Sequence, residues 1–189
     1  MNAFMTFDKE AAQKAGGSDY INETGGYVGL IQAKAITAKS GSLGIEFSIK
    51  TDEGLTANYI QIYFKKDNGD IIKSGYGHLQ SMMGLLKVGE LQNPVNDGDG
   101  NFWIKELCDK RIGLFLQKRL YTKNSGDDGY DFQLRAVFNP ETLQTYKEQS
   151  NNVEAQKVPY MDENSKDIDE RDANKAQQSQ PQAQSDDDF

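Results

Sequence analysis

The chain has 189 residues, 37% of them hydrophobic, with one cysteine, one histidine and a formal net charge of −8. That size suits one domain plus a tail; one thiol excludes an internal disulfide and fits a reducing cytoplasm, and Cys108 with His78 cannot supply a four-ligand structural zinc site. No run approaches the ~20 apolar residues of a membrane helix, and the first seventeen residues, with Asp8, Glu10 and no apolar run, do not read as a secretory leader.

Residues 1–24 are polar and interrupted by glycine, which predicts a flexible arm. Residues 27–39 read as a strand and 40–44 as a turn. Leu43, Ile45, Phe47 and Ile49 then alternate with Gly44, Glu46, Ser48 and Lys50, the period of two expected of a half-buried strand. After a turn at 51–54, Ile60, Ile62 and Phe64 fall on one face, with Tyr59, Gln61, Tyr63 and Lys65 on the other. Asp67-Asn68-Gly69-Asp70 supplies the positive-φ residues of a tight hairpin, and Ile71 and Ile72 start its return strand.

The period then changes. Leu79, Met82, Met83 and Leu86 lie at i, i+3, i+4 and i+7, predicting a short amphipathic helix that ends near Gly89. Residues 93–101 form a Pro/Gly/Asp loop. Its Asp97-Gly98-Asp99-Gly100 lacks the following Glu of a calcium-binding loop. Residues 110–121 alternate again, with Ile112, Leu114 and Leu116 on one face. A turn at 122–129 leads to a last strand at 130–138, and 139–142 open a final short turn or helix.

Beyond residue 147 the composition shifts. Residues 1–147 hold 17 Lys/Arg and 18 Asp/Glu, whereas 148–189 hold 4 and 11. From Glu148 to Asp188 the only aromatic is Tyr160. So apolar-poor a stretch does not offset chain entropy, and it predicts a disordered acidic tail. Three strand units, one helix and two further strands over residues 25–147 predict a mainly all-β domain: an OB-fold-like, five-stranded Greek-key barrel with one short helix between its third and fourth strands. Residues 148–184 form the linker and 185–189 an acidic tip.

No catalytic constellation stands out. His78 reads as a helix-surface or capping residue and Cys108 as a small residue where a strand begins. The outward strand faces say more. Tyr59, Tyr63 and Lys65 share one; Arg111, Phe115, Arg119 and Tyr121 share another; Arg135 lies on the last strand. Aromatics interleaved with cations suit single-stranded nucleic acid, where rings stack on bases and cations follow phosphates. They equally suit a second covered face or a homodimer interface. In the first case Tyr59, Tyr63 and Phe115 stack and Lys65, Arg111, Arg119 and Arg135 meet phosphates. Trp103 either stacks a base or plugs the barrel end.

A small β domain, a Gln/Pro/Ser-rich linker and the ending Asp186-Asp187-Asp188-Phe189 resemble the single-stranded DNA-binding (SSB) proteins of bacteria and phages. Bacterial members end in acids followed by Ile-Pro-Phe; this chain lacks the Ile-Pro and runs directly from acids to Phe, as phage-encoded relatives often do. The resemblance implies a non-enzymatic protein without metal or cofactor, in the cytoplasm of a bacterial host. It would coat single-stranded DNA in replication or recombination. Asp186, Asp187, Asp188 and Phe189 would dock a polymerase, helicase, primase or nuclease, the ring entering an apolar pocket and the acids facing a basic surface. The alternatives are a strand-annealing recombination accessory and an adaptor whose aromatic face binds protein.

Overall fold

A computed structural model describes residues 19–171 together with Thr6. The elements are β1 (Gly25–Thr37), β2 (Leu43–Thr51), β3 (Thr56–Lys65), α1 (Lys73–Leu86), β4 (Val95–Asn96), β5 (Phe102–Trp103), β6 (Lys110–Thr122), β7 (Asp128–Phe138), α2 (Tyr146–Ser150), α3 (Lys157–Asn164) and β8 (Ile168–Asp169). The protein is mainly β, an open antiparallel sheet with a few short helices.

Strand β1 holds the sheet together. Its residues 29–37 pair with β2 and its residues 25–31 with β6. β3 continues from β2, and β7 from β6, both antiparallel. The path β3-β2-β1-β6-β7 therefore curls until β3 and β7 lie against each other without a shared ladder. The period-two runs set the inside: Ile45, Phe47, Ile49, Ile60, Ile62, Ile112, Leu114 and Leu116 are all buried there, and α1 closes the core with Leu79 and Met82.

The hairpin after β3 is shorter than its sequence suggests. Ile71 makes one bridge, to Lys65, and Ile72 already precedes α1. Leu79 and Met82 reach the core only at helical spacing, so the return strand stops after one pair. The first turn of α1 lies almost on β3: a Cβ at Gly75 would stand 2.1 Å from the Tyr63 carbonyl oxygen. The helix ends at Leu86, three residues short of Gly89, with Lys87 in the left-handed conformation at φ 56°.

Both ends of the domain lie further out than the composition indicates. Residues 1–5 and 7–18 of the expected arm lie outside the described residues, whereas 19–24 belong to the fold. Ile21 is 1% exposed, and its N–H donates to the Thr56 carbonyl at 2.9 Å. At the other end the fold continues through 171 rather than stopping at 147. Thr145 and Glu148 form a capping box at α2. Burial works against the Glu148 anion, but N–H groups of Thr145, Lys157 and Gln156 outweigh it and bring its pKa down to about 2. α3 then lays Val158 and Met161 over a second apolar cluster of Phe115, Ala136 and Phe138. β8 pairs in parallel with β6 at Arg119 and Leu120. The segment has too few apolar residues for a core of its own, and it covers one built by β6 and β7. Residues 172–184 of the expected linker, and the tip, lie outside the described residues.

That second cluster exists because β7 carries a bulge. Phe115 faces Ala136 and Leu116 faces Leu134, which leaves Arg135 as the extra residue.

Two substitutions test this packing. Val158→Ala should lower unfolding free energy by about 1–3 kcal/mol through lost burial and a residual cavity; an undocked segment would show no change in the denaturant midpoint. Gly113→Ala would place a Cβ 2.2 Å from the buried Phe138 ring. It should cost about 1–3 kcal/mol by overpacking, read in the same experiment.

Candidate functional site

The site begins with a second bulge, on β3. Ile49 faces Ala57 and Phe47 faces Ile60, so Asn58 and Tyr59 together oppose Ser48. Both turn outward, and Tyr59 takes the left-handed conformation, φ 61°. For an L-residue that costs roughly 1–2 kcal/mol. Burial does not repay it, since Tyr59 is 73% exposed.

Tyr59 stands where three grooves meet. The first, about 480 Å³, runs between β3 and β7 and is lined by Tyr63, Arg119, Asp131, Arg135 and His78. The second, also about 480 Å³, gathers Tyr20, Tyr121 and Tyr130. The third, about 260 Å³, lies over β1 and β2 and ends at Trp103.

Tyr63 is half-buried, its ring lying over Gly44, where a Cβ would stand 2.7 Å from it. Its hydroxyl donates to Gln61 Oε1 at 3.1 Å; Gln61 Nε2 donates to Glu46 Oε2 at 2.7 Å; Glu46 Oε1 pairs with Lys34 Nζ at 2.8 Å. This chain of bonds holds the outer face of three strands in one arrangement.

The structure brings Tyr59, Tyr63, Arg119 and Arg135 to one groove and separates the other candidates from it. Phe115 is 0% exposed and has no face for a base: it points outward on β6, but α3 and Phe138 cover it. Arg111 donates to Asp52 Oδ2 at 2.7 Å and also pairs with Glu141, clipping two turns together outside the three grooves. Arg119 lines the groove but is paired, through Nε to Asp131 Oδ1 at 2.9 Å and through Nη1 to Glu170 at 3.5 Å. Lys65 is exposed at the end of β3 and, like Arg135, has no ion-pair partner among the described residues. Asp186, Asp187, Asp188 and Phe189 lie outside the described residues.

Trp103 is half-buried at the third groove. Its Nε1 donates to Asp97 Oδ2 at 2.8 Å. That bond and one from Asn101 hold the Asp97 carboxyl well below the usual carboxylate range, so the carboxylate is committed to its own loop. Cys108 Sγ donates to the carbonyls of Ile104 and Ala33, at 3.3 and 3.6 Å. Among the described residues no group of three or more His, Cys, Asp or Glu could hold a metal ion.

Two site residues escape a sequence reading. Tyr20 belongs to the stretch that composition marks as an arm. Tyr130 stands at the start of β7, its hydroxyl donating to the Ile21 carbonyl at 3.2 Å and its ring under the Lys118 ammonium at 4.9 Å. Only their aromatic character signals either. Charge departs from expectation as well: residues 19–171 hold 18 Lys/Arg and 23 Asp/Glu, so the folded unit is more acidic than 1–147 because 148–171 belong to it.

No family model matches this chain, and no curated protein matches it.

His78 ties α1 to the site, its Nε2 lying 3.2 Å from the Arg135 carbonyl oxygen. Burial lowers its pKa, and the nearby charges of Lys157 and Arg135 act the same way against that hydrogen bond. The unfolded chain thus binds the proton more tightly than the fold does. The contribution of His78 to stability is complete above the unfolded value of about 6.5 and is lost as pH falls below it. The chain has one histidine, so proton NMR of its ring should show a single titration with a midpoint under 6.5; a midpoint at or above that value would contradict the buried placement.

Proposed function

We propose that the chain binds single-stranded nucleic acid without strong sequence preference, along the grooves that meet at Tyr59, as a non-enzymatic coating protein of replication or recombination. The strand order β3-β2-β1-β6-β7, with α1 between β3 and β6, supports an OB-like barrel, and such barrels bind oligonucleotides across one face. Tyr59 is the observation that carries the reading: an aromatic in a costly backbone conformation, with no burial in return, at the junction of three grooves. Backbone strain kept without a packing gain, at a junction of grooves, supports a role in binding. A ring held out in this way is a platform for an unpaired base, which duplex DNA does not offer. Tyr63 and Trp103 are secondary platforms, and Arg135 is the unpaired cation in the groove that Tyr59 and Tyr63 share. Recruitment of partner enzymes by Asp186, Asp187, Asp188 and Phe189 belongs to the same proposal.

The acidity of the folded unit and the four tyrosines around the second groove favour one other reading, a protein-binding adaptor. Tyrosine-rich, amphipathic surfaces suit protein partners. Salt separates the two, because strand binding weakens as salt rises through counterion release and an apolar protein interface does not.

The test is fluorescence titration of poly(dT), matched duplex and RNA against wild type, Tyr59→Phe and Tyr59→Gly. Wild type and Tyr59→Phe should prefer single strands over duplex. Tyr59→Gly should bind about five- to 150-fold more weakly, the stacking of one base. It should melt no lower than wild type, since glycine takes φ 61° without strain. Equal affinity for duplex and single strand, or full affinity in Tyr59→Gly, would overturn the proposal.

A further inference from the structure

The C-terminal segment creates a further groove of about 580 Å³, between β7 and residues 157–168. Arg135 reaches it from β7, Lys157 from the first turn of α3 and Lys166 from the loop before β8. All three are exposed, and none has an ion-pair partner among the described residues. The acid on its rim, Asp167, is already engaged: its Oδ1 accepts from Thr24 Oγ1 at 2.7 Å and its Oδ2 lies 3.9 Å from Lys118 Nζ. Asp162 of α3 lies on the side of Gly25 and Tyr27 instead. The loop is held in place by Gln117, whose Nε2 donates to the Lys166 carbonyl at 2.7 Å.

This groove is continuous with the one between β3 and β7, since His78, Leu134 and Arg135 line both. The two differ in charge. In the first, Arg119 is neutralised by Asp131 and Glu170. A polyanion whose bases reach Tyr59 meets its next unpaired cations at Arg135, Lys157 and Lys166. His78 lines both grooves; burial lowers its pKa first, and the charges of Lys157 and Arg135 act in the same direction. Resting on the single-strand reading above, we infer that this second groove is a phosphate-binding extension of the site, taking the sugar-phosphate backbone of a strand whose bases stack at Tyr59.

The full-length chain and its Lys157→Gln/Lys166→Gln and Lys157→Arg/Lys166→Arg variants would be titrated with thymidine oligonucleotides of about 4 and about 16 residues, the span of site sizes for one OB domain, over a series of salt concentrations. Each phosphate neutralised on a single strand contributes about 0.7 to the salt slope. The Gln pair should therefore flatten the slope for the longer oligonucleotide by about 1.4 and weaken its binding at 0.1 M salt by about tenfold to thirtyfold. The shorter oligonucleotide should bind the Gln pair as it binds wild type, and the Arg pair should match wild type on both. Unchanged slope and affinity in the Gln pair, with wild type binding single strands, would overturn the extension and leave the Tyr59 site standing. Loss shared by the Arg pair would mean that the lysines act through packing and would also overturn it. Wild type that binds neither oligonucleotide would end both proposals.

Discussion

Everything in this fold depends on β1 serving two ladders. Its first half is bonded to β6 and its second half to β2, with residues 29–31 shared. Two long ladders that share so few residues of one strand make the two halves of the sheet curl toward one another, while β5 adds a single pair to β1 at Lys34. The curl brings β3 against β7, and the first groove is the seam where they meet without hydrogen bonds. The apolar residues on the inside of that curl have nowhere else to go, so the position of the site follows from the core.

Both strands flanking the seam carry a bulge beside it. On β3 the additional outward residue is within Asn58 and Tyr59; on β7 it is Arg135. Each bulge ends a regular alternation and re-aims one side chain. An aromatic and an unpaired cation thereby arrive at the same groove from opposite strands. The β7 bulge has a second effect. It turns Ala136 and Phe138 to the outer side of the hairpin, beside Phe115, which its own strand already directs outward, and so creates the apolar patch covered by α3. The C-terminal segment that brings Lys157 and Lys166 to the rim is thus held by the same irregularity that presents Arg135.

Electrostatics in the folded unit are local. Acids outnumber bases over residues 19–171, yet they are not spread evenly. Arg111, Arg119 and Arg171 spend their charge on neighbouring carboxylates, whereas Arg135, Lys157 and Lys166 keep theirs around one groove. Paired exposed ions contribute little to stability and less to a distant anion, since partner and salt both screen them. Unpaired charges in a concave wall keep more of their field.

Where the sequence repeats with a clear period, it determines the structure by itself. Ile45, Phe47 and Ile49, then Ile60 and Ile62, then Ile112, Leu114 and Leu116 sit at a spacing of two, and only a half-buried strand puts such residues on one side. Leu79 and Met82 do the same for α1. The outward exposure of Tyr59 and the half-exposure of Tyr63 were legible on that basis. Four things were not. Phe115 follows the outward register of its strand, and only the docking of α3 beside Ala136 and Phe138 buries it. Arg111 and Arg119 look like free cations until folding brings Asp52, Glu141, Asp131 and Glu170 beside them from distant points of the chain. Val158 and Met161 are too few to predict order, because the surface they cover belongs to other strands. Tyr20 and Ile21 read as part of a polar arm until Thr56 bonds the backbone on either side of Tyr20, accepting from the Ile21 N–H and donating to the Asp19 carbonyl. Period is a property of neighbours along the chain, so sequence carries it; bulges, ion pairs and docked segments are properties of neighbours in space, and only the tertiary structure decides them.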